Sequence, residues 1–249
     1  MAQIIKPAAV LISAGIGSRL GKNFKHIPKC LLPLSPGVTL FDFQVKSLRR
    51  AGITRIYIVT GFMKEKIEPP ARRLGVRTIF NPFFRCSGNI VSVWLGLLKV
   101  RGWIITINGD NIFRSSVIRK LLTKTTKEDI TITVSRKTKF DSDDMKVLIS
   151  GSRLMRVSKK LRTANAESIG IIRYSPQGRR HMIQAIEFLL RGGGKDKFYL
   201  AAIDHICREG RQKVGICECG PEDWAEVDYI DDYHSVLNAY LKGQFGKRL

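Results

Sequence analysis

The segment Val10-Leu11-Ile12-Ser13-Ala14-Gly15-Ile16-Gly17-Ser18-Arg19-Leu20 decides the fold. Its first three residues form a short apolar run, which is typical of a buried strand. The two glycines that follow allow a tight turn and a close approach of the backbone to a phosphate group. The segment is not a Walker A loop, because no Gly-Lys-Ser/Thr follows, and Leu20 stands where the dinucleotide fingerprint has its third glycine. A plain strand-to-loop turn with a solvated Arg19 is the alternative interpretation.

Strand-like and helix-like patterns alternate through the rest of the first half. Further strands are predicted at 56–59, 76–80 and 103–107, and helices at 41–51, 63–74 and 115–122. The segment 90–98 is either a helix or a buried apolar segment. This alternation is typical of a doubly wound, mostly parallel sheet. No linker is long enough to separate two domains, so we predict one α/β domain over 1–249.

Beyond residue 125 the pattern becomes richer in strands. Strand-like runs lie at 130–135, 145–149, 154–157, 168–174 and 214–218, and helices are predicted at 176–190, 198–208 and 230–241. We therefore expect a smaller, β-rich part at 126–249 beside the first half at 1–125.

The charge is large and unevenly distributed. The formal net charge is +22, and residues 1–125 hold 21 basic and only 4 acidic residues, whereas residues 126–249 hold 22 and 17. This asymmetry favours an anionic partner for the first half. Nucleic acid, a nucleoside triphosphate and an anionic membrane surface are all partners of this kind.

Cysteine usage and hydropathy predict a cytoplasmic protein without a membrane span. The five cysteines include no Cys-x-x-Cys pair, so we expect them to be reduced and mostly buried. The longest uncharged stretch, 86–98, has 13 residues, fewer than the ~20 that a transmembrane helix needs.

Three further segments carry candidate chemistry. Lys29 follows a proline and precedes an apolar run, which fixes its position and makes it a candidate cation for a polyphosphate. Asp110 follows the strongest strand, at the sheet edge where ligands bind, and is a suitable Mg²⁺ ligand. Glu226 and Asp228 would share one face of a strand, so either could meet Asp110. The alternative for Asp110 is a cap of the next helix.

Together these segments resemble the sugar-phosphate and alcohol-phosphate nucleotidylyltransferases. Residues 11–34 are similar to the Leu-x-Ala-Gly-x-Gly-x-Arg…Pro-Lys signature, 108–111 to the metal-binding Gly-Asp, and 224–228 to the second metal carboxylate. The segments 81–95, 145–147 with 158–159, and 167–170 resemble the small bacterial cytidylyltransferases that act on phosphocholine, aminoalkyl phosphonates or inositol phosphate. The resemblance implies a Rossmann-like nucleotidyltransferase fold.

The resemblance also implies a reaction and a site. CMP would pass from CTP to the phosphate or phosphonate of a small acceptor, and pyrophosphate would leave. Arg19 and Lys29 would be the catalytic cations on the triphosphate, and Asp110 and Asp228 would hold Mg²⁺. The nucleotide-binding residues implied in the first half are Ser13, Ala14, Gly15, Gly17, Ser18, Gly61, Ser87, Gly88, Asn89 and Gly109. The acceptor-binding residues implied in the second half are Lys146, Lys159, Glu167, Tyr199 and Trp224.

The chain departs from the pattern of this branch at Gly88, where an Asn is common, and we expect Gly88 to enlarge the base pocket. The alternatives are a sugar-1-phosphate nucleotidylyltransferase that uses another NTP, a basic nucleic-acid-binding protein, and a regulatory subunit without activity. The absence of any nucleic-acid-binding motif argues against a nucleic acid partner. Peripheral attraction to an anionic membrane would also follow from the charge.

Overall fold

The computed structural model describes residues 7–21, 24–124 and 128–246. In the first half the chain forms, in order, β1 (Ala8–Ser13), β2 (Pro33–Ser35), β3 (Val38–Thr39), α1 (Leu40–Arg50), β4 (Ile56–Thr60), α2 (Lys64–Arg73), β5 (Arg77–Phe80), α3 (Asn89–Lys99), β6 (Ile104–Asn108), β7 (Asn111–Phe113) and α4 (Ser115–Thr123). Every helix and strand predicted in this half is present, with ends displaced by no more than two residues.

In the second half the chain forms β8 (Ile130–Arg136), β9 (Lys146–Ser150), β10 (Arg153–Val157), β11 (Ala166–Tyr174), α5 (Pro176–Arg191), α6 (Leu200–Glu209), β12 (Val214–Cys219), β13 (Trp224–Glu226) and α7 (Ile230–Leu241). The predicted elements are again present. None of the helices in the described part of the chain is long and apolar enough to cross a membrane.

One sheet of nine strands unites the two halves, in the order β5-β4-β1-β6-β11-β8-β12-β10-β9. The first four strands are parallel to one another, as is the β8–β12 pair. Strands β11 and β10 run antiparallel to their neighbours. The single α/β domain is confirmed, and its sheet is mixed where the second half joins it.

Helices cover both faces of this sheet, because side chains of each central strand point alternately to the two sides. Ala8 and Val10 of β1 belong to the core beneath α3, α5 and α6. Ala9 and Leu11 belong to the core beneath α1, α2 and α4. Both faces of β1 are therefore apolar, which is why its sequence is a continuous hydrophobic run.

A small ribbon, formed by β7 and β13, brings the end of the chain to the first half. The two strands pair antiparallel, with Trp224 opposite Phe113 and Glu226 opposite Asn111. The Val227 N–H donates to the Asp110 carbonyl, with an N···O distance of 3.0 Å. The residues that follow β13 consequently lie beside Asp110, at the carboxyl end of β6.

Candidate active site

A cavity of about 730 Å³ opens at the carboxyl ends of β1 and β6. Its walls are the glycine-rich loop after β1, residues 108–110, the loop between β8 and β9, and residues 224–229. In open α/β sheets, ligands bind in the crevice at this edge.

The glycine-rich loop is shaped by its contact with Lys29. Gly17 has φ 68°, a left-handed conformation in which other residues are strained. A Cβ on Gly17 would lie 3.0 Å from Cγ of Lys29, so the loop passes close over the lysine side chain. At the end of β6, a Cβ on Gly109 would lie 2.7 Å from the carbonyl oxygen of Ile12. Both glycines permit a backbone approach that a larger residue would prevent.

Lys29 lies between two carboxylates that are far apart in the sequence, because Asp110 follows β6 and Asp228 follows β13. Its Nζ is 2.5 Å from Oδ1 of Asp228 and 3.5 Å from Oδ2 of Asp110. Only 16% of the Lys29 side chain is exposed, against 26% for Asp110 and 24% for Asp228. Cys30, the next residue, is buried and fixes the single helical turn that begins at Lys29.

Glu226 is the third carboxylate of this centre. Burial, together with the charges of Asp110 and Asp228, raises the pKa of Glu226 well above its ordinary value. Burial and the charge of Asp228 also raise the pKa of Asp110, although Lys29 opposes the effect. In contrast, the charge and hydrogen bond of Lys29 outweigh burial and lower the pKa of Asp228. Three carboxylates around one ammonium leave the centre with excess negative charge.

The donor set of this centre suits magnesium. Asp110 and Asp228 present carboxylate oxygens that converge on one point, now held by Nζ of Lys29. Mg²⁺ in nucleotide sites is usually held by one or two carboxylates together with substrate phosphates. Among the described residues, no group of three or more His, Cys, Asp or Glu side chains is arranged to hold a metal ion.

Another part of the cavity wall is built around Asp143, in the loop between β8 and β9. Tyr229 donates its hydroxyl to Asp143 at 2.5 Å, and Nζ of Lys159 donates to it at 3.1 Å. Nη1 of Arg19 lies 3.6 Å from both Asp143 and Asp228. The hydrogen bonds from Tyr229 and Lys159 lower the pKa of Asp143. Asp143 therefore connects the glycine-rich loop with the second half of the chain.

A second ion cluster lies on the same wall. Nζ of Lys137 is 2.9 Å from Asp144 and 3.2 Å from Glu167. Burial raises the pKa of Glu167, and the charge of Lys137 partly offsets this. Two aromatic rings lie against these cations. The ring of Phe198, which is 47% exposed, faces Nζ of Lys159 at 4.9 Å. The ring of Tyr229 faces the guanidinium of Arg19 at 5.7 Å.

The cavity is acidic in a strongly basic protein. Eight carboxylates and only four cations line it among the described residues, a formal charge of −4 when all are ionised. The rest of the chain therefore carries a formal charge of +26. A polyanionic substrate needs an additional cation to enter such a cavity, and a positively charged group on a substrate would be attracted to it.

Comparison with known proteins identifies the fold. Residues 9–187, more than half of the chain, match the MobA-like NTP transferase domain. The chain belongs to the MobA-like NTP transferase family. The resemblance to nucleotidyltransferases is thus confirmed, and the protein is an enzyme of that class. Arg19, Lys29 and Asp110 lie inside the matched segment, and Asp228 lies beyond it.

The individual relatives have less than 30% sequence identity to this chain. The choline-phosphate cytidylyltransferase of Streptococcus pneumoniae is 29% identical over 118 residues, which cover 47% of this chain and 51% of the relative. The CTP:phosphoglutamine cytidylyltransferase of Campylobacter jejuni is 21% identical over 90% of this chain and 96% of its own. The structure of the inositol-1-phosphate CTP transferase from T. maritima superposes with a TM-score of 0.79 at 19% identity, over 96% of this chain and 98% of that one. This NTP transferase shares their fold.

Most of the residues predicted for the site meet in the cavity of this NTP transferase. Its wall includes Ser13, Ala14, Gly15, Gly17, Arg19, Lys29, Ser87, Gly88, Asn89, Gly109, Asp110, Lys159, Glu167, Tyr199, Trp224 and Asp228. The side chain of Ser18 lies outside what the structure describes.

Two predicted residues lie behind the wall rather than in it. A Cβ on Gly61 would be 2.5 Å from Cβ of Phe84, so Gly61 supports Phe84, which does line the cavity. Nζ of Lys146 donates to the carbonyl of Lys159 at 3.3 Å and thus braces the backbone of a wall residue.

Two residues of the wall differ from expectation in their role. The expectation that Gly88 enlarges the base pocket is wrong, because a Cβ there would lie 2.3 Å from the carbonyl oxygen of Lys197. Backbone, rather than empty space, occupies that volume. The Asn89 Oδ1 accepts from the Tyr199 N–H at 2.9 Å, so this amide positions the buried Tyr199.

Other wall residues were missed by sequence reasoning. They include Asn81, Phe84, Ser92, Asn108, Lys137, Asp141, Ser142, Asp143, Asp144, Met145, Tyr229 and Asp232. The only signal for the acidic group was three aspartates within four residues in 141–144, a composition that is also common in solvated loops.

Proposed function

We propose that this NTP transferase is a cytidylyltransferase, which transfers CMP from CTP to the phosphate or phosphonate of a small acceptor that carries a positively charged amino group. The observation that carries the proposal is the presence of two adjoining charged groups in one cavity. Lys29, Asp110 and Asp228 form one group, an acidic and aromatic wall around Asp143 forms the other, and Arg19 lies 3.6 Å from both Asp143 and Asp228. Relatives that act on choline phosphate and phosphoglutamine support it.

The glycine-rich loop and its cations hold the triphosphate in this proposal. The Arg19 guanidinium, 41% exposed, exchanges its contacts with Asp143 and Asp228 for phosphate oxygens. Nζ of Lys29 approaches the α-phosphate from below the loop, next to Gly17. Magnesium, held by Asp110 and Asp228, would supply positive charge at the α-phosphate and offset the acidic character of the cavity.

The attack on the α-phosphorus requires no proton transfer. The acceptor's phosphate oxygen attacks the α-phosphorus, a new P–O bond forms, and the bond to the leaving pyrophosphate breaks. The attacking oxygen is already an anion, so no general base is required. Catalysis then depends on in-line positioning of two polyanions and on offsetting their charge, which is the role we assign to Arg19 and Lys29.

The wall around Asp143 recognises the other end of the acceptor. A cationic amino group placed there meets Asp143, Asp144 and Glu167, and the exposed ring of Phe198 adds a cation–π contact. Lys159 belongs to this wall, and its Nζ would exchange the contact with Asp143 for the acceptor's phosphate. An acceptor without a cationic group, such as inositol phosphate, would gain no charge attraction from these carboxylates.

Base selection is the finer part of the proposal. We expect residues 87–89 to line a base pocket that accepts a single ring, so that purines are excluded by size and cytosine is preferred to uracil by acceptors that face its amino group. The Asn89 Oδ1 accepts from the Tyr199 N–H, which fixes its position, and it can accept a second hydrogen bond, as can the backbone carbonyls nearby. An unpaired polar group penalises the wrong base by ~1–3 kcal/mol, so we expect CTP to exceed UTP by roughly 10- to 100-fold.

Pyrophosphate release tests the proposal. Each of the four NTPs is assayed with phosphocholine, 2-aminoethylphosphonate, inositol 1-phosphate and glucose 1-phosphate, and with the uncharged carbon analogue 3,3-dimethylbutyl phosphate. We expect turnover with CTP and with an amino-bearing acceptor, and a loss of at least tenfold in kcat/KM for the carbon analogue. Preference for a purine NTP and glucose 1-phosphate would instead indicate sugar-1-phosphate chemistry, and equal use of the analogue would remove the role of the acidic wall.

A further inference from the structure

The turn that carries Asp110 is held by one buried amide group. Gln44 lies in α1 and is fully buried. Its Nε2 donates to the carbonyl oxygen of Asn108 at 3.1 Å and to that of Asn111 at 2.7 Å. These two carbonyls lie at the two ends of the turn, one on the last residue of β6 and the other on the first residue of β7. A single side chain therefore joins the main sheet to the ribbon across Asp110.

The neighbours of Gln44 in α1 are apolar and buried. They are Phe41, Phe43, Val45 and Leu48, each no more than 1% exposed. A polar side chain in such surroundings lowers stability unless its hydrogen bonds are made. The Gln44 Oε1 is buried and has no hydrogen-bond partner among the described residues, which costs free energy. Packing alone therefore does not explain a glutamine at this position, whereas the two hydrogen bonds that its Nε2 donates do.

The same turn has two other supports, and both are made by the backbone. The Gly109 N–H donates to the Ile12 carbonyl at 2.9 Å, and the Val227 N–H donates to the Asp110 carbonyl at 3.0 Å. A Cβ on Gly109 would lie only 2.7 Å from the Ile12 oxygen, so the turn is pressed closely against β1. The third support is the Gln44 side chain, which a substitution removes without altering the backbone.

We propose that Gln44 is a positioning residue of this NTP transferase, because its amide holds the Asp110 carboxylate in place opposite Lys29. The inference rests on the proposed function, in which Asp110 belongs to the catalytic centre. Gln44 is not part of the described wall of the cavity, so it acts through Asp110 rather than on a substrate. A displacement of about 1 Å in a catalytic group lowers a rate by up to about 100-fold.

The test uses two substitutions of Gln44 and a matched control in the same helix. Gln44→Met removes the donor and keeps the length of the side chain, and Gln44→Asn keeps an amide on a chain that is one methylene shorter. Val45→Ala is the control, because it perturbs an equally buried position that has no polar side-chain atom. Pyrophosphate release gives kcat and KM for the NTP and acceptor that support turnover. Thermal unfolding gives the Tm, and mass spectrometry gives amide hydrogen exchange in 104–113.

We expect Gln44→Met to lower kcat about tenfold or more while the KM values change less than about threefold, since the loss falls on the transition state. Amide hydrogen exchange in 104–113 should become faster in the same variant. Val45→Ala should lower the Tm to a similar extent, because it leaves a cavity, and should change neither kcat nor this exchange. If Gln44→Met does not fold, Gln44→Asn decides, with a decrease in kcat of about threefold or more and the same control.

A double variant shows whether Gln44 acts through Asp110. In the background of Asp110→Asn, Gln44→Met should lower the Tm as before but lower kcat no further. Additive losses in kcat, an equal loss in Val45→Ala, or a wild-type kcat in both variants of Gln44 would overturn the proposal. Failure of the proposed function gives different results. Turnover with another NTP contradicts the choice of CTP and leaves this comparison intact, whereas an active Asp110→Asn contradicts the role of Asp110 and overturns both.

Discussion

Replacement of Lys29 by methionine should separate the two roles of this side chain, because it keeps the length and removes the charge. In the structure its ammonium is 2.5 Å from Asp228 and 3.5 Å from Asp110, with Glu226 nearby. Removal of one partner from a buried ion pair costs 3–5 kcal/mol. These side chains are 16–26% exposed, so solvent offsets part of that cost. We therefore expect Lys29→Met to lower the free energy of unfolding by about 2 kcal/mol.

For a chain of 249 residues, this loss corresponds to a decrease in Tm of about 4–8 °C. The rate should fall at least 100-fold, as it does when one electrostatic stabiliser of a transition state is removed. Because Lys29 acts on the charge of the transferring group, kcat should fall more than KM rises. Thermal unfolding and pyrophosphate release measure the two effects, with the exposed Lys99→Met as the control.

A double variant completes the experiment. Lys29→Met with Asp228→Asn removes both members of the closest pair, so it should recover stability relative to Lys29→Met alone and remain inactive. Added Mg²⁺ should likewise raise the Tm of Lys29→Met more than that of the wild type, since it binds the folded carboxylates. If Lys29→Met unfolds at the same temperature as Lys99→Met, or retains more than a tenth of the wild-type rate, the reasoning about this centre is wrong.

Further predictions concern the carboxylates, the packed glycine and the cysteines. Asp110→Asn and Asp228→Asn should each lower kcat in pyrophosphate release by ~10²-fold or more without unfolding the protein, and retention of a tenth of the activity would refute the magnesium assignment. Gly88→Ala should lower the free energy of unfolding in urea by about 1–3 kcal/mol, because its Cβ meets the Lys197 carbonyl, whereas Gly15→Ala, with open space around it, should be near neutral. Burial raises the pKa of Cys30 to about 12, so its thiol should stay protonated and unreactive at pH 8. Peptide mapping after alkylation at pH 8 should therefore find the exposed Cys86 modified and Cys30 protected. Equal labelling of the two cysteines would contradict the buried position of Cys30.

The parts of the site that follow directly from a strand were predictable. The apolar run of β1 ends in two glycines, and Asp110 follows β6, so periodicity and turn chemistry place both at one edge of the sheet. The contact between Lys29 and Asp228 joins residues 199 positions apart, and no local pattern indicates it; only the resemblance did.

The acidic wall and the role of Gly88 show where local reasoning fails. Asp143 is in a loop whose composition is typical of solvated turns, and its function depends on Arg19, Lys159 and Tyr229, which arrive from three other segments. The prediction for Gly88 was wrong because the space beside it is filled by the backbone of Lys197, which is supplied by a turn far along the chain. Both features are tertiary, whereas sequence patterns report local conformation and burial.

The ribbon of β7 and β13 has a consequence for the biosynthesis of this enzyme. All nine strands of the main sheet end by Cys219, so a ribosome has delivered the whole scaffold before it adds Asp228. A nascent chain that has emerged only as far as β12 carries the glycine-rich loop, Lys29 and Asp110, but lacks the carboxylate that Lys29 contacts at 2.5 Å. The complete charged centre therefore forms last, as the chain's closing segment pairs with a strand made more than a hundred residues earlier.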